Sequence, residues 1–312
     1  MHFVTKYFRN QSSSLPNPSE IIETSIQFLT KSFEISLEIN PGENSFADLK
    51  LFKEMGINRL SIGFQSLNLE FLNLLTRTHN PDDCGIIYEN AREAGIENIS
   101  IDMLYNIPGQ TVKGWLNNLK TVVKMKPDHI AMYSLTSEEG TPFYADTQNG
   151  NLLLLDTPIE REMFIQGSRY LRDCGFNQYE ISHFANEGME CRQNIHYWKR
   201  DPYLAFGPSA HGFDGEKRYW NVASLEKYSE ILSQNNLPIQ DSEILSSEDI
   251  LNEIVINGLR TNLGIPTSCF DNLGDISIQK WESFLERVNG SLVLKPEYFH
   301  LADEIATDLM IW

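Results

Sequence analysis

The stretch "EISLEINPG" (residues 34–42) decides the fold. Ile35, Leu37 and Ile39 alternate with Glu34, Ser36 and Glu38, the two-residue period of a strand, and Pro41-Gly42 ends it. Glu38 sits near the strand's end on the polar side. It is either a solvated charge on an edge strand or a group aimed at something.

Working outward, helix-like and strand-like segments alternate. "SFADLKLFKEMG" reads as a helix closed by Gly56, and "NRLSIGFQSL" as a strand. "NLEFLNLLTRT" and "PDDCGIIYENAREAG" read as helices, "ENISIDMLYNIPGQ" as a strand, and "TVKGWLNNLKTVVKM" as a helix with Trp115, Leu119 and Val122 on one side. "DHIAMYSL", the helix "PIEREMFIQGSRYLRDCG" and a strand through "NQYEISHFA" complete the series. Such alternation predicts a parallel sheet of βα units. Beyond about residue 222 helical patterns dominate, in "LEKYSEILSQ", "SSEDILNEIVINGLRT" and "SIQKWESFLERVNG". The expected division is residues 1–222 as the α/β part and 223–312 as a small, mainly helical C-terminal domain.

The strands share a layout. Their apolar faces are Leu60, Ile62, Phe64 and Ile99, Ile101, Met103. Their second faces start small (Ser36, Ser61, Ser100, Ala131) and end polar (Glu38, Gln65, Asp102, Tyr133). A barrel interior, with limited room and a ligand site at the strand ends, produces that pattern. The strands by themselves leave a plain open α/β sheet as the alternative.

Composition narrows the function. The chain has 312 residues, 41% of them hydrophobic, enough for a large core. A net charge of −18 argues against nucleic acid or an anionic membrane as main partner, because phosphate binding wants clustered cations. No apolar run approaches the roughly 18–20 residues of a membrane span, and no signal-peptide core is seen, so a cytoplasmic location is expected. Cys84, Cys174, Cys191 and Cys269 form no close-spaced ligand set.

The pieces "LEINPG", "GINRLSIGFQSL", "TRTH", "NISIDMLYNIPGQT", "PDHIAMYSLTSEEGTPF", "YEISHFA", "NIHYW", "YLAFGPSAHG" and "GLRTNLGI", in this order, resemble the radical S-adenosylmethionine (SAM) family. Within it they are similar to the oxygen-independent coproporphyrinogen III oxidase-like branch and its heme chaperones. The resemblance implies a partial (β/α)6 barrel followed by a small C-terminal domain. It implies SAM contacts at Glu38, Gln65, Arg77 and Asp102, with Thr136 on a loop that faces the adenine. Without the family, Arg77 reads as a helix-surface charge and Asp102 as a turn cap.

Three departures accompany it. The family's 4Fe-4S cluster is held by a CxxxCxxC loop that precedes a strand matching "FVTKYF"; this sequence starts at that strand, so an N-terminally truncated barrel without the cluster, and hence without coproporphyrinogen oxidase activity, is expected. A truncated barrel also exposes a sheet edge, which predicts self-association. Where the family has a GGGTPS segment, Arg9-Asn10-Gln11 and Ser12-Ser13 stand, and side chains there obstruct close backbone approach. The heme-associated motif HNxxYW reads Gln193, Asn194, Ile195, His196, Tyr197, Trp198. His196 is either a displaced ligand or a surface residue. The cargo implied is heme or a porphyrin, the partner a heme-accepting protein. The alternative is a non-catalytic porphyrin- or nucleoside-binding remnant. His183, His211 and His300 are further acid–base candidates.

Overall fold

The computed structural model describes residues 33–271 and 275–310. The expected strand "FVTKYF" and the polar segment that replaces the family's glycines lie outside the described residues. From residue 36 the elements run β1 (Ser36–Ile39), α1 (Phe46–Glu54), β2 (Arg59–Gln65), α2 (Leu69–Leu74), α3 (Pro81–Glu93), β3 (Asn98–Tyr105), α4 (Val112–Lys124) and β4 (His129–Ser134). Local chemistry sets the helix starts. Ser45 and Asp48 form a capping box at α1; Asn80 and Asp83 do so at α3, with Pro81 in its first turn.

β1 to β4 are parallel, side by side in chain order. Their outer face is fully buried at Leu60, Ile62, Phe64, Ile99, Ile101 and Met103. Each such burial contributes roughly 1.5–3 kcal/mol. Covering this face are Ile87 and Ala91 of α3, Trp115, Leu119 and Val122 of α4, and α6 (Thr157–Asp173), which follows the short α5 (Pro142–Gln148). α6 meets α4 at Gly167, where a Cβ would lie 2.7 Å from Trp115 Nε1 and 2.9 Å from Met132 Sδ. Only glycine admits that approach. The Trp115 indole donates to the Met163 carbonyl at 3.1 Å.

The expected strand through "NQYEISHFA" is two: β5 (Asn177–Gln178) and β6 (His183–Ala185). β6 runs antiparallel to β4, and β5 antiparallel to β6, so the sheet order is β1-β2-β3-β4-β6-β5. The break has a backbone cause. Ile181 N–H donates to Arg260 O, and Asn262 N–H donates to Tyr179 O, so residues 179–181 bond the C-terminal region instead of continuing along β4. An isolated Glu180–Thr261 bridge continues the contact.

After α7 (Arg192–Trp198) comes an antiparallel sheet of β7 (His211–Phe213), β8 (Lys217–Asn221) and β9 (Ile239–Ile244), with α8 (Leu225–Ser233) between the last two. The expected division at 222/223 falls inside this sheet. The remainder holds α9 (Ser247–Leu259), β10 (Ile265–Pro266), α10 (Asp275–Trp281), β11 (Leu285–Val288), β12 (Ser291–Leu294) and α11 (Ala302–Leu309). Here β12 lies between β10 and β11. The helical expectation for this region is thus joined by a small sheet.

Candidate functional site

The strand registers stack the inner face in rows. Glu38 lies beside Ser61, Ser61 beside Ser100, and Ser100 beside His129. The next row toward the strand ends is Gly63, Asp102, Ala131 and His183. Of these, Glu38, Ser61, Ser100, His129, Asp102 and His183, with Ser36, Arg59, Tyr133, Cys191 and three residues of α7, line a cavity of about 580 Å³.

Its floor is a chain of polar contacts. Ser61 Oγ donates to both oxygens of Asp102 at 2.9 Å, and Ser100 Oγ lies 3.0 Å from Asp102 Oδ1 and 2.8 Å from His129 Nδ1. His129 Nε2 lies 2.8 Å from the Tyr179 hydroxyl, which accepts from the Cys191 N–H at 3.2 Å. The buried Arg59 donates to Ser36 Oγ at 3.0 Å. Burial raises the Asp102 carboxyl above its usual range, and the two serine hydroxyls hold it back. Burial, then the neighbouring His183 and Arg59, hold His129 well below the ordinary histidine range, so it is neutral. Glu38, by contrast, is exposed to the cavity and has no hydrogen-bond partner among the described residues.

Gln65 and Arg77 stand at the strand ends beyond this lining. Arg77 donates to Asn40 Oδ1 at 3.1 Å. Asn40 Oδ1 and Gln65 Nε2 both lie over Gly63, at 3.1 and 2.7 Å from where a Cβ would be. Gln65 itself has φ of 63°, a left-handed conformation at a bulge in β2. Such strain in a non-glycine residue concentrates at ligand clamps. Thr136 is exposed, donates to Glu138 at 3.1 Å, and is outside the cavity lining.

α7 forms the facing wall. Gln193, Asn194 and Tyr197 line the cavity. Gln193 donates to the Tyr197 hydroxyl at 2.8 Å. Trp198 lines a neighbouring cavity of about 470 Å³, which shares Tyr133, His183, Asn194 and Tyr197 with the first. His196 is exposed, pairs with Asp201 at 2.6 Å, and lines neither. Three residues on a helix leave His196 only about 60° round the axis from Gln193, but its ring is turned to Asp201 and not to the cavity. His211 stacks on Trp220 at 5.8 Å. The sequence reading missed Arg59 and His129, each two residues before a small inner-face position. Alternation extended one step back finds both.

Residues 14–122 match the model of the radical SAM superfamily. The heme chaperone HemW of Bacillus subtilis is 36% identical over 237 residues, 76% of this chain. That of Lactococcus lactis is 30% identical over 274 residues, covering 87% of this chain and 72% of its own length. This chain belongs to the HemN/HemW-like branch of the radical SAM superfamily. The fold agrees: the Escherichia coli radical SAM enzyme coproporphyrinogen III oxidase (HemN) superposes with a TM-score of 0.71 at 20% identity, over 94% of this chain and 74% of that one. This HemN/HemW-like chain spans 62% of the length of its Bacillus subtilis relative.

The superfamily implies SAM and a 4Fe-4S cluster. The cysteines here do not fit the cluster. Cys84 and Cys191 are buried, Cys174 is exposed and Cys269 half-buried; no group of three candidate metal ligands exists among the described residues. The strand-end groups do fit SAM's polar parts: the unpartnered Glu38 and buried Asp102 as acceptors, and Arg77 as a cation. No helix among the described residues is long and apolar enough to cross a membrane.

Proposed function

We propose that this chain is a HemW-like heme- or porphyrin-binding protein that retains a SAM pocket and passes heme to an acceptor protein. One observation carries the reading. The helix bearing the heme-motif positions Gln193, Asn194 and Tyr197 walls the same cavity whose floor holds Glu38 and Asp102. In this reading Glu38 and Asp102 accept from the ribose hydroxyls and amino group of SAM, and Arg77 pairs with its carboxylate. Gln65 fills the strand end between them, and Thr136 supplies the adenine-side loop. Tyr197 and Trp198 present aromatic surface to the macrocycle. The expected location is the cytoplasm.

These 312 residues contain no three cysteines at CxxxCxxC spacing, so on their own they are expected not to decarboxylate coproporphyrinogen. Anaerobic turnover of coproporphyrinogen by the purified chain after cluster reconstitution would overturn that. Separate titrations with hemin and SAM test the rest. Saturable one-to-one hemin binding supports it. Hemin binding without SAM binding leaves a chaperone whose nucleoside pocket has lapsed, and failure to bind hemin removes the proposal.

A further inference from the structure

We propose that the cavity of about 470 Å³ beside Trp198 is a carboxylate site, in which Arg200 and Arg218 take an acidic arm of the bound macrocycle; the inference rests on the heme- or porphyrin-binding reading above. Three elements meet there. Arg200 follows α7, Arg218 stands on β8 and Glu253 on α9. Arg200 Nε donates to Glu253 Oε2 at 2.6 Å, and Arg218 Nη2 lies 2.5 Å from Oε1 of the same carboxylate. The two arginines are the only arginine or lysine side chains in the lining of this cavity among the described residues. Two cations thus share one anion. Glu243 lies 3.8 Å from Arg218, too far for a hydrogen bond, and is 54% exposed. Glu180, the other carboxylate in the lining, is buried 2.6 Å from His183 Nδ1 and pairs with neither arginine.

Arg200 is held in this place against its backbone preference. Its φ is 59°, the left-handed conformation that closes a helix and favours glycine. Strain of this kind concentrates at ligand clamps. The side chain turns inward until only 14% of it is exposed, with the guanidinium carbon 5.4 Å from the centre of the Phe213 ring. Its Nη2 is buried without a hydrogen-bond partner among the described residues. A strut joining α7 to α9 would need only the bond from Nε. The unused edge of a buried guanidinium is a costly vacancy, and a carboxylate oxygen arriving from the cavity matches its planar fork.

The surroundings select the kind of acid. Tyr197 and Tyr203 meet edge to face at 4.6 Å, and Tyr203 is fixed by two backbone hydrogen bonds exchanged with Phe213, at 2.8 and 2.9 Å. Tyr197 also lines the cavity that holds Glu38 and Asp102. Aromatic walls beside a surplus cation suit a flat ligand with carboxylate arms, and a neutral macrocycle would leave the arginines unused.

The test is titration of the whole chain, of Arg200→Gly and of Arg218→Gln with hemin and with its dimethyl ester, which keeps iron and macrocycle but masks both carboxylates. The wild type should bind hemin about tenfold or more tightly than the ester. Arg200→Gly suits the left-handed backbone and should fold, yet lose most of that preference; Arg218→Gln should reduce it. Circular dichroism melts of both variants confirm that each is folded. Equal affinity of the wild type for the two ligands, or an undiminished preference in both variants, would overturn the carboxylate site while leaving heme binding intact. A loss of SAM affinity in Arg200→Gly with the preference for hemin kept would give this arginine to the SAM carboxylate instead. A wild type that binds neither hemin nor its ester would remove the underlying reading and this site with it.

Discussion

Replacing Asp102 by asparagine should weaken SAM binding without weakening the fold. The carboxylate sits at the buried centre of the floor, receiving Ser61 and Ser100 hydroxyls at 2.9–3.0 Å. An amide of the same shape keeps contacts with both, because a serine hydroxyl rotates to donate or accept. What is lost is the charge, and with it a charge-assisted hydrogen bond to the ligand worth about 1.5–3 kcal/mol. That corresponds to roughly 10- to 150-fold in Kd. Stability moves the other way. Burial raises the folded-state carboxyl above its ordinary 3.8, so the wild type's favourable contribution is complete below about that pH and is lost as pH rises through the folded value. At neutral pH the asparagine variant is therefore spared a buried charge and should unfold at an equal or higher urea concentration. The gap should close in acid, where the wild-type carboxyl is protonated. Calorimetric SAM titration and urea melts at several pH values read both effects. Unchanged SAM affinity, or a loss of stability beyond about 2 kcal/mol, more than one hydrogen bond is worth, would refute the reasoning.

Gly167→Ala should destabilise the protein by about 1–3 kcal/mol from overpacking against Trp115 and Met132, outweighing the gain of roughly 1 kcal/mol in helix propensity; a raised melting temperature would count against the close packing. Tyr179→Phe leaves His129 Nε2 unpaired and buried, and should cost about 1–3 kcal/mol in urea unfolding. Because His129 is held below its ordinary 6.5, its contribution is present above that pH and is lost as pH falls through the folded value. His129→Gln should therefore flatten the acid side of the stability profile, and an unchanged slope would contradict the assignment. In native alkylation Cys174 should react first, while Cys84, whose thiol is pushed up to about 12 by burial, should react only on unfolding; mass spectrometry of the labelled peptides checks the order.

The strand-and-helix series was legible because each βα unit satisfies its own hydrogen bonds and shows its own period. "NISIDML" reads correctly on both faces: Ile99, Ile101 and Met103 are fully buried, and Ser100 and Asp102 face the cavity. The reversal at "NQYEISHFA" was not legible, because its cause is the pairing of residues 179–181 with 260–262, some eighty residues away in the sequence. Arg59 and His129 were hidden for a different reason. A charged or titratable residue at the start of a strand looks like a solvated end, and only the register shows that both lie in the floor. The resemblance marked Gln193 and Asn194 only as heme-motif positions, and that they wall a cavity shows in the fold alone; the side taken by His196 depends on the rotation of a seven-residue helix that no sequence period fixes.

The pairing of residues 179–181 with 260–262 also sets an order of assembly. A chain leaves the ribosome N-terminal end first. The four parallel strands can pair while the rest is still being made. Glu180, bridged to Thr261, cannot be held in place until residue 262 has emerged and docked. That wall of the cavity is therefore among the last parts to form, and a nascent chain has no complete cavity until its C-terminal third is in place.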